Sequence, residues 1–168
     1  MKILKLVTLF VALICVCSGC KKSSIDNPCN GVMNQSPPLR VGVLFNDKQT
    51  GINFIIANGL GANDIKISEA QTEKVINNWR IVASPNTPTN GMIELAAFHE
   101  TAGVHTFNIE VKGLGVIPLS YTIKQMKSDN VCKMYYYPLE GLKTPSHNFK
   151  PLEYDGKIFP QIIVVAVN

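Results

Sequence analysis

Val104 to Lys112 reads V-H-T-F-N-I-E-V-K, and Val116 to Lys127 reads V-I-P-L-S-Y-T-I-K-Q-M-K. In the first, His105, Phe107, Ile109 and Val111 fall on one side and Thr106, Asn108, Glu110 and Lys112 on the other. In the second, Ile117, Leu119, Tyr121 and Ile123 alternate with Ser120, Thr122 and Lys124. A period of two over segments this long is the pattern of antiparallel strands with one dry and one wet face. Gly113-Leu114-Gly115 between them supplies the turn.

Working outward, the same texture extends across the chain. Leu39–Phe45 is a short apolar run ended by the turn pair Asn46-Asp47. Ile52–Ala57, Ile65–Ser68 and Lys74–Ala83 follow as strands, with Trp79, the single tryptophan, placed inside. Ser84–Gly91 (S-P-N-T-P-T-N-G) is the clearest loop. Met92–Phe98 returns as a strand and residues 99–103 turn it back. After the quoted pair come Val131–Tyr137, a polar stretch from Pro138 to Pro151, the hairpin dipeptide Asp155-Gly156, and Lys157–Val167. The apolar end of that last strand, Ile162 to Val167, is expected to be covered on both faces. About eight or nine short strands at regular spacing predict an all-β sandwich. No internal repeat is visible, and Ser68–Asn77 is the sole candidate for a helix.

The N-terminus has a different character. Lys2 and Lys5 precede an apolar run from Leu6 to Val16, followed by Cys17-Ser18-Gly19-Cys20 and then Lys21-Lys22-Ser23-Ser24. A positive start, an apolar middle and a small-residue exit describe an export signal. The run is shorter than the ~20 residues a permanent membrane helix needs. With Ser18-Gly19-Cys20 as its exit, the segment resembles a bacterial lipoprotein signal. That resemblance implies cleavage before Cys20 and lipidation of Cys20, and hence attachment to an envelope membrane. An ordinary cleaved signal is the plainer alternative, though such signals tend to end in A-x-A. In the lipoprotein family, Asp after the cysteine favours the inner membrane; Lys21 stands there, which implies the outer membrane, with the periplasmic or surface face left open. Residues 20–38, rich in Lys, Ser, Asn and Pro, read as a tether, and residues 39–168 as one domain.

Removing residues 1–19 takes away Lys2 and Lys5 and leaves 14 basic against 12 acidic side chains. That balance, without a run of like charge, excludes a nucleic-acid surface. Cys29 and Cys132 are the cysteines left after export and lipidation, and an oxidising compartment permits a bridge between them. Two free thiols, with Cys132 buried as a small hydrophobe, is the other reading. No C-x-x-C occurs and no histidine stands near either cysteine, so neither a metal site nor any cofactor is expected.

Candidate chemistry is sparse. His99-Glu100-Thr101-Ala102-Gly103-Val104-His105 evokes H-E-x-x-H, but its histidines are six apart and lie at a strand–turn–strand position. There is no G-x-S-x-G turn for a serine nucleophile, and neither G-x-G string has the third glycine or following helix of a phosphate cradle. Tyr135-Tyr136-Tyr137 is more promising: Tyr136 would face the core with Cys132 and Met134, leaving Tyr135 and Tyr137 to stack on a sugar or peptide. The loops Ser84–Gly91 and Pro138–Pro151 are the next candidates.

Val41 to Gly51 (V-G-V-L-F-N-D-K-Q-T-G), the H-T-F-N-I-E-V-K and L-S-Y-T-I-K strands, the Cys132 segment and Y-D-G-K-I together resemble a group of small, uncharacterised bacterial envelope lipoproteins. The resemblance implies an Ig-like or transthyretin-like β-sandwich and brings no activity with it. The expectation is a lipid-anchored, non-enzymatic binding or structural module whose partner is a glycan, a peptide or an envelope protein. The alternatives are a surface assembly or adhesion subunit that lends its apolar last strand to a neighbour, and a hydrolase hidden in loops around His99, Glu100 and His105.

Overall fold

The computed structural model describes Cys29, residues 39–97 and residues 101–168. The chain divides into two units, residues 1–34 and 35–168, and the described strands all belong to the second. Its elements are β1 (Arg40–Asp47), α1 (Phe54–Ala57), β2 (Ile65–Glu69), β3 (Trp79–Ile81), β4 (Ile93–Ala96), β5 (Gly103–Val111), β6 (Gly115–Ile123), β7 (Met126–Lys127), β8 (Tyr135–Tyr136), β9 (Leu139–Lys143), β10 (Phe149–Tyr154) and β11 (Lys157–Val167). A 3-10 turn at Ala62–Asp64 leads into β2. The fold is all-β.

The two alternating segments quoted first form the hairpin β5–β6, in the register Phe107↔Leu119 and Ile109↔Ile117. β2 and β9 flank it, giving a four-stranded sheet in the order β2-β5-β6-β9. A five-stranded sheet runs β10-β11-β1-β4-β3. There β1 pairs parallel with β11, from Gly42↔Ile162 to Asp47↔Val167, and antiparallel with β4. β7 and β8 form a separate two-stranded ribbon.

One buried cluster joins the two large sheets. Val41, Val43, Phe45, Leu95 and Val165 come from the five-stranded sheet; Ile67, Phe107, Ile109, Leu119 and Tyr121 come from the other. Each fully buried side chain of this size contributes ~1.5–3 kcal/mol relative to exposure. The inward set expected for β5 and β6 is the observed one: Phe107, Ile109, Val111, Ile117, Leu119, Tyr121 and Ile123 are all buried. Tyr121 stacks between His105 (5.5 Å) and Phe107 (5.7 Å).

The five-stranded sheet is also covered on part of its outer face. Leu44, Met92 and Leu152 form a second small core, with Val82, Phe159, Ile162 and Val164 packed against it. This explains why β1 and the end of β11 read as continuous apolar runs rather than alternating ones. The adjoining part of that face is polar: Glu94 accepts from Arg40 at 3.0 Å and also pairs with Arg80.

Several expected elements differ. Ile52–Ala57 is not a strand. Asn53 caps a single helical turn, its Oδ1 accepting from the Ile56 amide at 3.1 Å, so Ile55 turns into the core while Ile52 and Ile56 stay exposed. Of Lys74–Ala83 only Trp79–Ile81 is strand; Trp79 is half-buried and packs against the main core. Lys124-Gln125 separates β6 from β7, and Val131–Tyr137 keeps only two strand residues. The polar stretch Pro138–Pro151 holds β9 and the start of β10, with Leu142 buried. Pro151 is accommodated because the β10–β11 register shifts between Pro151 and Leu152, one of the few places a strand tolerates proline. The Asp155-Gly156 hairpin forms as expected: both residues have positive φ, 52° and 69°, as a type I′ turn requires.

Candidate binding site

The segment between β1 and α1 is built by its polar residues. Asp47 Oδ1 accepts from the Gln49 and Thr50 amides and the Thr50 hydroxyl at 3.0, 2.7 and 2.9 Å. These bonds, from the Thr50 backbone above all and then its hydroxyl, hold the Asp47 carboxyl below its ordinary pKa. The turn reverses the chain so that Asn53 lies opposite Asn46 in an antiparallel bridge, with the Asp47 amide donating to the Ile52 carbonyl at 3.0 Å. Two carboxamide side chains are therefore placed side by side by backbone geometry.

The loop Ser84–Gly91 forms the facing wall and ties itself together internally. The Thr87 hydroxyl donates to the Ser84 carbonyl at 2.8 Å, and Asn90 Oδ1 accepts from the Ser84 amide at 3.1 Å. The loop closes against α1 at Gly91, whose φ is +77°; a Cβ there would stand 2.6 Å from Asn53 Oδ1 and 2.7 Å from Ile56 Cγ1. Only glycine permits both that backbone and that approach.

Between these walls lies an open cleft of about 360 Å³, within the size range of small-ligand sites. Its floor is Leu44, Leu152 and Val164; Ile52, Ile56 and Pro88 form apolar sides. Among the described residues no charged side chain is in the lining. Two polar atoms in it are buried without a partner among the described residues: Asn46 Oδ1 and Asn53 Nδ2. Because Asn53 Oδ1 is occupied by the helix cap, the other end of its amide must be the donor. An unmet buried donor or acceptor costs ~1–3 kcal/mol, so the cleft favours whatever supplies a hydrogen bond in each direction. Chemically it suits a neutral molecule with an apolar face and a hydroxyl or amide group.

The residues singled out in the sequence fall elsewhere. Tyr135 and Tyr136 are both partly exposed in β8, whereas Tyr137 is half-buried and packs against the main core. The chain leaves the β7–β8 ribbon at Tyr137 to enter β9, so Tyr135 and Tyr137 do not share an open face. Tyr136 and Met134, expected in the core, lie outside it. His99 and Glu100 fall outside the described residues, as does Cys20. The His105 ring stacks on Tyr121, and its Nε2 donates to the Thr101 carbonyl at 2.9 Å. His147 Nδ1 lies 2.8 Å from the Ser146 hydroxyl. Among the described residues no group of three or more His, Cys, Asp or Glu side chains could hold a metal ion. Cys29 and Cys132 are each disulfide-bonded.

Asn46 and Asn53 were not visible as site residues in the sequence. Asn46 reads as the first half of a turn and Asn53 as a mid-strand residue. The available signal was an Asn directly before a short apolar run, which is a helix N-cap pattern. The loop at 84–91 was visible, and Thr87, Pro88 and Asn90 from it line the cleft. No family model matches the chain, and neither a curated protein nor a solved structure matches it.

Proposed function

We propose that this is a lipid-anchored cell-envelope protein whose β-domain is a non-enzymatic binding module, taking a neutral ligand in the cleft beside Asn46 and Asn53. The export signal ending in Ser18-Gly19-Cys20 supports the anchor, and Lys21 supports the outer membrane. In this reading Cys29 and Cys132 pair with each other. The observation that carries the binding role is the pair of unpartnered amide atoms, Asn46 Oδ1 and Asn53 Nδ2, set in an uncharged apolar cleft. A glycan or a peptide end supplies the required chemistry: an apolar ring face or methyl group for the floor, and a hydroxyl or amide to donate to Asn46 and accept from Asn53.

The test is a glycan and peptide array probed with the wild type and with Asn46→Leu. The substitution removes an acceptor that the free protein leaves unmet, at similar size. Stability should hold or rise, while affinity for the captured ligand should fall roughly tenfold or more, the ~1.4 kcal/mol expected of one lost buried hydrogen bond. Unchanged affinity in Asn46→Leu, or an array on which the wild type captures nothing, overturns the reading.

A further inference from the structure

The ribbon β7–β8 pairs Met126↔Tyr136 and Lys127↔Tyr135, and backbone groups together with the Ser128 and Asn130 side chains close its connecting turn. The Ser128 amide donates to the Met134 carbonyl at 2.8 Å, the Lys133 amide to the Asn130 carbonyl at 3.0 Å, and the Cys132 amide to Asn130 Oδ1 at 2.9 Å. The side chains are another matter. Val131 is 81% exposed and Met134 67%, and Met126, Tyr135 and Tyr136 are each more than two-fifths exposed. A two-stranded ribbon is marginal in water by itself. The pairing sets Tyr135 beside Lys127 on one face and Met126 with Tyr136 on the other, and large apolar side chains left exposed on a ribbon this small mark a surface that something covers.

Charge narrows what covers it. Lys127 and Lys133 flank the patch and make no ion pair among the described residues. Lys124 is engaged with Glu140 at 2.6 Å, and the one carboxylate in the turn is Asp129. Apolar and tyrosine side chains interleaved with lysines suit the boundary between headgroups and acyl chains, where the rings and stems sit in the apolar layer and the ammonium groups reach phosphate. Cys132, within this turn, is disulfide-bonded, as is Cys29. Cys29 lies nine residues after Cys20, a stretch that spans at most roughly 30 Å fully extended.

We propose that the β7–β8 ribbon is a second membrane contact, lying on an anionic bilayer surface with Val131, Met134 and Tyr135 in the interfacial layer and Lys127 and Lys133 on the headgroups. It rests on the reading of Cys20 as the lipid anchor and adds an orientation to it. The acyl chains hold the protein at the membrane, and the ribbon sets which way the domain faces.

The mature acylated protein, reconstituted in phosphatidylcholine vesicles with and without phosphatidylglycerol, is exposed to a methionine oxidant. Met134 should oxidise about tenfold more slowly on the anionic vesicles, because the lysines contribute only against negative headgroups. Met92, 6% exposed in the small core, serves as the internal reference for an intact fold. Val131→Asp and Lys133→Glu should each restore Met134 oxidation while leaving Met92 protected. The intact mass of the N-terminal peptide, taken on the same sample, separates the two claims. Acyl groups present with Met134 equally reactive on both vesicles overturns the ribbon contact alone. Their absence overturns the anchor and this inference with it. Protection of Met134 that needs an added envelope protein also overturns it.

Discussion

Replacing Gly91 with Ala tests whether the 84–91 loop really closes on the helix cap to make the cleft wall. The backbone there has φ +77°, a region that costs a non-glycine residue ~1–3 kcal/mol. The new methyl would also stand 2.6 Å from Asn53 Oδ1 and 2.7 Å from Ile56 Cγ1. The Ile56 side chain is exposed and can rotate away, but the Asn53 oxygen cannot yield freely, because it accepts from the Ile56 amide. Moving it releases the N-cap, worth ~1 kcal/mol. The sum is about 2–4 kcal/mol, or a fall in Tm of roughly 8–16 °C for a domain of this size. Gly51→Ala is the matched control. Its φ is +71°, but nothing lies within 4 Å of the added carbon, so only the backbone cost remains, about 1 kcal/mol at the low end. Thermal unfolding followed by the fluorescence of Trp79 reads both. If the two variants melt within a degree or two of each other, the loop does not press on Asn53 and the cleft wall is not formed as described.

Other outcomes follow from the core, the turns and the cysteines. Phe107→Ala, at a position 1% exposed, should cost ~3–5 kcal/mol in urea unfolding, whereas Val131→Ala in the exposed ribbon should stay within about 0.5 kcal/mol. The Asp47 and Asp64 carboxyls both sit below their ordinary pKa of 3.8, Asp47 through Thr50 and Asp64 through the Gly61 amide and then Lys112. Their contribution is therefore complete above that value and is lost as the pH falls through the depressed one. Asp47→Asn should lower stability most at neutral pH and least in acid, where the wild type has already lost the contribution, so the acid limb of a stability–pH profile flattens; an unaltered acid limb counts against the turn. If Cys29 and Cys132 pair, they close a loop of about a hundred residues, and Cys132→Ser should destabilise by ~4.7 kcal/mol or somewhat less. A variant as stable as the wild type would show that no such long loop is closed.

The sheet faces were legible where one side of a strand is wet. β5 and β6 announce themselves by alternation, and every inward residue expected from Phe107 to Ile123 is buried. The Asp155-Gly156 turn was equally plain, since few dipeptides accept two positive φ values. The sequence was misleading where polar side chains, rather than periodicity, decide the backbone. Asn53 turns an apolar run into a helical turn by capping it, and Lys124-Gln125 divides what looks like one strand. β9 and β10 were hidden because only Leu142 and Leu152 of them are buried, too few to show a period. The Ig-like label stays with the resemblance that suggested it. The cleft was half-legible for the same reason. Its loop wall is written in Ser, Pro, Asn and Gly, but the meeting of Asn46 with Asn53 depends on a turn that Asp47 folds, a long-range consequence that neither asparagine displays alone. The ribbon tyrosines stand out in the sequence, and their partition does not, because it depends on where the chain leaves β8 for β9.

The most direct measurement is the side-chain amide region of a heteronuclear NMR spectrum, recorded as the protein is titrated with its best array ligand. The Asn46 and Asn53 carboxamide resonances should move with the ligand, saturate at the affinity seen on the array, and move first among all side-chain amides. Saturating binding that leaves both of these resonances in place would contradict the proposed site.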